Sequence, residues 1–326
     1  MNRLMLALLV SLMVIKNGAA QTFQAPSCSQ ITTGHPLLIG DTLLSHSAGL
    51  QVPVAAAYLS AQDLYHMAIK AALRKKYAMA LRLFRASMGG SLRGEQKHID
   101  ASFVLSSFRE LDEPETVDKV PPSRPVKINR LLSSFQDGKK ASGYGLYIHV
   151  KQPIPGKRKR FKWFGTVGHS FITLIKYNQD GTLVQRTFGY YPKKHFMLEA
   201  TPIIPFASSD FKNDSLHTWD ESVGLFITKV QFHKIIHLSR KYARQHYHLS
   251  RRNCTDFALA VADISGLKIM QTAGQWPLGS GNDPGDTGQS LLEGKIEFES
   301  LQNAADILLI DTADSSQQTS AMIKTP

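Results

Sequence analysis

The sequence predicts an α+β fold, an antiparallel sheet with helices packed against it, preceded by an α-helical region. Three observations carry that prediction. Apolar residues between Leu64 and Phe84 recur at three- and four-residue steps, the period of a helix face. Gly168 to Tyr177 and Thr182 to Tyr190 are strand-like runs joined by Asn178-Gln179-Asp180-Gly181, a turn in which Asp-Gly suits positive φ. Two amphipathic helical stretches follow, Gln231 to Arg244 and the segment opened by Asn253-Cys254, which ends at Ser265-Gly266.

From the N-terminus, residues 1–20 read as a secretory signal peptide. Arg3 supplies the positive start, Leu4 to Ile15 the apolar run, and Gly18-Ala19-Ala20 the small residues before a cut at Gln21. That run is short for a bilayer span, so a retained anchor is the weaker alternative. Residues 21–52, with Pro26, Gly34, Pro36 and Gly40, read as linker. Residues 53–113 are helical. Their spacing looks like one tetratricopeptide-type hairpin bending near Arg74-Lys75-Lys76, or an ordinary helical subdomain, followed by a helix from about His98 to Leu111. A proline-rich linker covers 114–140, the α+β domain 141–312, and a polar, disordered tail 313–326. Within the domain, Tyr144 to Val150 alternates like a half-buried strand and Leu225 to Val230 is another strand. Gly279 to Gly288 is a loop before a short helix near Gln289–Leu292.

The formal charge is +12, and loss of Arg3 and Lys16 with the leader makes it +10. Such a balance suits anionic surroundings or simply solubility. The run Gly156-Lys157-Arg158-Lys159-Arg160-Phe161-Lys162 is either a grip for an anionic polymer or membrane surface, or a solvated loop. Two cysteines, Cys28 and Cys254, are too few for a disulfide scaffold, although one bridge between them is open to an exported chain. No nucleic-acid motif accompanies the charge, and no glycine-rich phosphate loop implies a cofactor. The pairs His246-x-His248 and His233-x3-His237 have ligand-like spacing but lack the further donors zinc needs.

The chemistry centres on Cys254. It opens a helix, where the macrodipole lowers a thiol pKa and favours the nucleophilic thiolate. All the histidines precede it, so its base comes from upstream. His169, at the start of a strand after Gly168, is the expected base, and that glycine permits close backbone approach by substrate. If the hairpin turn has two or four residues, even-numbered residues of the second strand share the His169 face. Tyr190 is then the nearest polar group to orient the ring, unless it is a core or cleft tyrosine. Gln185 and Thr187 would face the other way. The backbone N–H of Cys254 lies in an unpaired first turn and could serve an oxyanion, with Asn253 either capping the helix or lending its amide. Asp256 reads as a structural first-turn acid.

From about Tyr144 to Leu292 the chain resembles the permuted papain-like cysteine hydrolases, the NlpC-type amidases and peptidases and the lecithin retinol acyltransferase-like group. The resemblance rests on Gly168-His169-Ser170-Phe171-Ile172, then Phe188-Gly189-Tyr190-Tyr191-Pro192, Phe226-Ile227-Thr228, Gln231-Phe232, Tyr247-x-Leu249 and Asn253-Cys254-Thr255-Asp256-Phe257. The cysteine follows the histidine, the reverse of the ordinary papain order. The resemblance implies Cys254 as nucleophile, His169 as base and a thioester intermediate, and it secures no third residue. Together with export and charge it makes a secreted or periplasmic cysteine hydrolase cleaving a cell-envelope amide, such as a peptidoglycan peptide, the leading expectation. A lipid acyltransferase or lipase of the same fold is one alternative. The other is a non-catalytic envelope adaptor whose helical region binds a protein partner.

Overall fold

The computed structural model describes residues 60–88, 101–112, 123–161, 167–276, 278–298 and 307–312. The expected leader 1–20, the linker 21–52 with Cys28, Lys162 and the tail 313–326 lie outside the described residues. Helices α1 (Ala61–Leu73), α2 (Tyr77–Ser87) and α3 (Ala101–Asp112) come first. β1 (Arg124–Val126) and α4 (Ile128–Ser133) follow, inside the stretch expected to be linker. The chain continues through β2 (Ala141–Lys151), β3 (His169–Asn178), β4 (Leu183–Lys193), β5 (Phe206–Asn213), β6 (Glu221–Ile227), α5 (Lys229–Tyr242) and β7 (Tyr247–His248). It ends with α6 (Cys254–Ile264), β8 (Leu267–Ile269), β9 (Ala273–Trp276), β10 (Gly279–Asn282), α7 (Pro284–Leu292), β11 (Ile296–Phe298) and β12 (Ile307–Asp311).

The fold is mixed, with helices on an antiparallel sheet of order β1-β5-β4-β3-β2-β6-β12 and β7 paired to β5. One face carries Leu146, Ile148, Ile172, Leu174 and Val223 against Phe232 and Ile235 of α5 and Phe257 and Val261 of α6. The other carries Tyr147, Phe171 and Ile175 against Leu64, Ala68, Tyr77 and Leu81 of α1 and α2. The helical hairpin therefore shares a core with the sheet. Trp219 Nε1 donates to Tyr77 Oη at 2.9 Å, and Tyr177 Oη donates to Ala78 O at 2.9 Å. Cover on both faces also corrects the half-buried expectation for β2. Gly145 to Val150 is buried without alternation once helices occupy both sides.

Capping chemistry sets several boundaries. Thr228 accepts from Gln231 N and Gln231 returns the bond, so β6 stops at Ile227 and α5 begins earlier than its apolar pattern suggests. The expected 279–288 loop is instead β10 and the start of α7. Asp283 caps that helix through Asp286 N, and Pro284 takes the first turn, where no N–H is needed.

The β3–β4 hairpin fixes the site. Tyr177 pairs with Leu183, and Asn178 N donates to Thr182 O at 2.9 Å, so the loop is the three residues 179–181. Gly181 closes it at φ +84°, the left-handed residue of a three-residue hairpin. Among the described residues, no helix is long and apolar enough to cross a membrane.

Candidate active site

Cys254 is the first residue of α6, buried, with a free thiol. A capping box holds that helix end. Asn253 Oδ1 accepts from Thr255 N at 2.8 Å and Asp256 N at 2.9 Å, and Asp256 Oδ2 accepts from Asn253 N at 2.8 Å. Asp256 Oδ1 also accepts from Asn282 Nδ2 at 2.7 Å, a structural engagement. Asn253 Nδ2 donates to Leu249 O at 2.8 Å and Asn282 O at 2.7 Å. Both amide hydrogens are thus committed, so Asn253 is a cap and clamp rather than the oxyanion donor considered from the sequence. The Tyr247 hydroxyl, held protonated first by burial, meets both the backbone N–H and the thiol of Cys254.

His169 opens β3 and is buried. Its neighbour Ser170 ties the strand to α6, Oγ lying 3.1 Å from Thr255 Oγ1 and its backbone N–H serving the Cys254 sulfur. Gly168 makes a close approach to the protein's own backbone. A Cβ there would lie 2.4 Å from Lys151 O.

The third member is Asp214, just beyond β5. His169 Nε2 donates to Asp214 Oδ2 at 3.1 Å, which leaves Nδ1 for the thiol. Tyr191 Oη donates to the other oxygen, Asp214 Oδ1, at 2.8 Å, and its ring lies 4.2 Å from the His169 ring. Tyr190 does not orient His169. It is buried on the α6 side, and its hydroxyl donates to Gln245 O at 3.2 Å. The cause is the turn. A three-residue loop shifts the register by one from the two- or four-residue cases, so odd-numbered residues of β4 share the His169 face. Thr187 accordingly meets Thr173, Oγ1 to Oγ1, at 2.7 Å on that face, and Gln185 caps α2 through Ala78 N at 3.2 Å.

The charges reinforce one another. Burial resists ionisation of Cys254, but His169, the Ser170 N–H and the Thr255 hydroxyl outweigh it and hold the thiol below its ordinary pKa. Burial lowers the His169 pKa, yet hydrogen bonds and charge from Asp214 and Cys254 carry it up to about 9. Burial raises Asp214, and His169, Ser123 and Tyr191 bring it below the usual carboxylate range. Burial and the Asp214 charge hold Tyr191 protonated, so it remains a donor. His217 flanks the group, its ring 5.2 Å from that of His169, and its pKa is lowered first by burial and then by the His169 charge. The arrangement can form a thiolate–imidazolium pair oriented by a carboxylate.

Elsewhere, the described part of the basic run, 157–161, is not a uniform outward strip. Arg158 Nη1 and Arg160 Nη2 pair with Asp286 at 3.5 and 3.3 Å, because that buried carboxylate of α7 needs cations, and Arg158 Nη2 also meets the exposed Glu293 at 2.7 Å. Among the described residues, no cluster of three His, Cys, Asp or Glu could hold a metal ion. A cleft of about 640 Å³ lined by Lys140, Lys229 and Arg240 lies at the opposite end of β2 from His169.

Comparison with family models, with curated proteins and with solved structures found no match to this chain. The structure brings together Cys254 and His169, both singled out from the sequence, and joins to them Asp214, which was not. The preceding strand, Phe206-Ala-Ser-Ser-Asp-Phe-Lys-Asn213, has too few apolar residues to announce itself. The one available signal was the Asn213-Asp214-Ser215 turn cluster after it.

Proposed function

We propose that the protein is a secreted or periplasmic cysteine hydrolase of permuted papain-like type, cleaving an amide bond through a thioester. The observation that carries this is the linkage of Cys254, His169 and Asp214 in one buried network at a helix N-terminus. The Cys254 thiolate attacks the carbonyl carbon, forming the C–S bond and a tetrahedral oxyanion. The imidazolium of His169 gives its proton to the leaving nitrogen as the C–N bond breaks. Water then adds to the thioester with His169 accepting its proton, and the C–S bond breaks to release the acid. Asp214 keeps the ring oriented and stabilises its positive form.

The basic charge and the leader favour a cell-envelope peptide as substrate. A second reading, acyl transfer from or to a lipid, is favoured by the exposed apolar residues near the segment leading to Cys254. The test is the rate of thiol alkylation against pH, with amine and fatty-acid release from envelope fractions. Alkylation of Cys254 is expected to persist well below the ordinary thiol pKa, and Cys254→Ser to abolish release. New amines support the amide, and free fatty acid the lipid. An unreactive Cys254 in the folded, reduced protein would sink both.

A further inference from the structure

The connection between β4 and β5 exposes large apolar side chains. Met197 is 85% exposed, Ile203 68% and Phe196 51%, and Phe206, which opens β5, is 59% exposed. The turn between β9 and β10 exposes Leu278 at 82%. The first segment is an ordered projection, with Ala200 N donating to Phe206 O at 3.1 Å and Thr201 N to Ile204 O at 3.1 Å. Leu278 is held at φ +69°, a conformation unfavourable for a bulky residue. Exposure and strain together are a cost that packing among the described residues does not explain.

The two projections flank the segment that leads to Cys254. Leu249 N donates to Pro205 O at 2.8 Å on one side. On the other, a Cβ at Gly281 would lie 2.6 Å from Ser250 O. Around the tips stand exposed Lys193, Lys194 and Arg251. The sole acid in 193–206, Glu199, is turned back onto His195 N at 2.7 Å, and 246–252 and 273–282 contain none. Apolar tips within a cationic rim complement a negatively charged bilayer, whose acyl chains and headgroups match the two parts.

We propose that the 193–206 projection and the Leu278 turn dock the protein onto an anionic lipid bilayer, seating the tips among the acyl chains and Lys193, Lys194 and Arg251 against the headgroups. This brings the segment leading to Cys254 to the membrane surface whichever carbonyl is cleaved.

The test is co-sedimentation of the full chain, carrying Cys254→Ser, with phosphatidylglycerol or phosphatidylcholine vesicles. Binding to phosphatidylglycerol is expected, weakening as salt rises. Met197→Asp/Ile203→Asp and, separately, Leu278→Asp should each weaken it by about tenfold or more. Lys193→Glu/Lys194→Glu should erase the preference for the anionic lipid. Absence of vesicle binding overturns the proposal, as does undiminished binding by the aspartate variants. Self-association abolished by those variants, without vesicle binding, also overturns it by making this a protein interface. Because binding needs no thiol, its failure is distinct from failure of the hydrolase reading, which alkylation reports.

Discussion

Gly189 and His169 approach so closely that a Cβ on the glycine would stand 2.4 Å from His169 Nε2 and 2.4 Å from Asp214 Oδ2. The hydrogen bond between those side chains passes over the bare backbone of β4. Gly189→Ala should push the two apart without disturbing the pairing of the strands, because the atoms met are the ends of side chains. We expect kcat/KM to fall by about 10²–10⁴-fold, the scale of losing an oriented base. Near-ultraviolet circular dichroism and the unfolding midpoint check that the fold is kept. Near-normal activity in this variant would show that the His169–Asp214 contact is dispensable.

Asp214→Asn tests the same contact through pH. The imidazolium form is held up to about 9 by Asp214 and Cys254 acting against burial. Activity through a thiolate–imidazolium pair rises as the thiol loses its proton and falls as the imidazolium does. The wild-type alkaline limb of kcat/KM should therefore sit near pH 9, and Asn at 214 should move it lower with a loss of about 10²–10⁴-fold. Tyr191→Phe, which leaves Asp214 Oδ1 without its tyrosine donor, should cost about tenfold and shift the limb less. A full pH–rate profile for the three proteins decides the matter.

How much of this was legible follows the physics of each signal. Cys254 announced itself because a cap residue, a thiol and an apolar helix face are all local. His169 was legible as a polar residue at the start of an apolar strand. The third member, Asp214, was not, because it follows β5, whose polar sequence does not mark a strand. A three-residue turn at 179–181, in place of two or four, moved Tyr190 into the core and set Tyr191 and Gly189 beside His169. The helices were legible from their 3.6-residue period, but not that α1 and α2 would cover the sheet, which is a long-range contact. β5 and β12 were missed, the first for its polar sequence.

Asn253→Ala should loosen the start of α6 and the thiol together. The side chain satisfies two backbone donors and two carbonyl acceptors at once. Removing it should cost about 1–3 kcal/mol, a lost cap plus carbonyls left unpaired. Urea unfolding measures that loss, and slower Cys254 alkylation at neutral pH should accompany it. Asn253→Asp retains the cap acceptor but sets a carboxylate against Leu249 O and Asn282 O, so it should recover only part of the stability.

His149 should make the fold acid-sensitive independently of the site. It is fully enclosed between Tyr77, Tyr147, Phe171 and Trp219, with Nε2 2.9 Å from Thr173 Oγ1 and Nδ1 2.8 Å from Ser222 Oγ. Burial holds its pKa down to about 3, against about 6.5 in the unfolded chain. Above pH 6.5 neither state binds the proton and the full stability is present. As pH falls from 6.5 towards 3, the unfolded chain takes up a proton that the folded protein refuses. Stability should then drop by about 1.4 kcal/mol per unit, or about 3 kcal/mol by pH 4. His149→Gln, which can still bond Thr173 and Ser222, should be less stable at pH 7 yet lose less between pH 6.5 and 4. Urea unfolding free energies across that range measure both slopes, and parallel slopes would place the acid sensitivity in other groups.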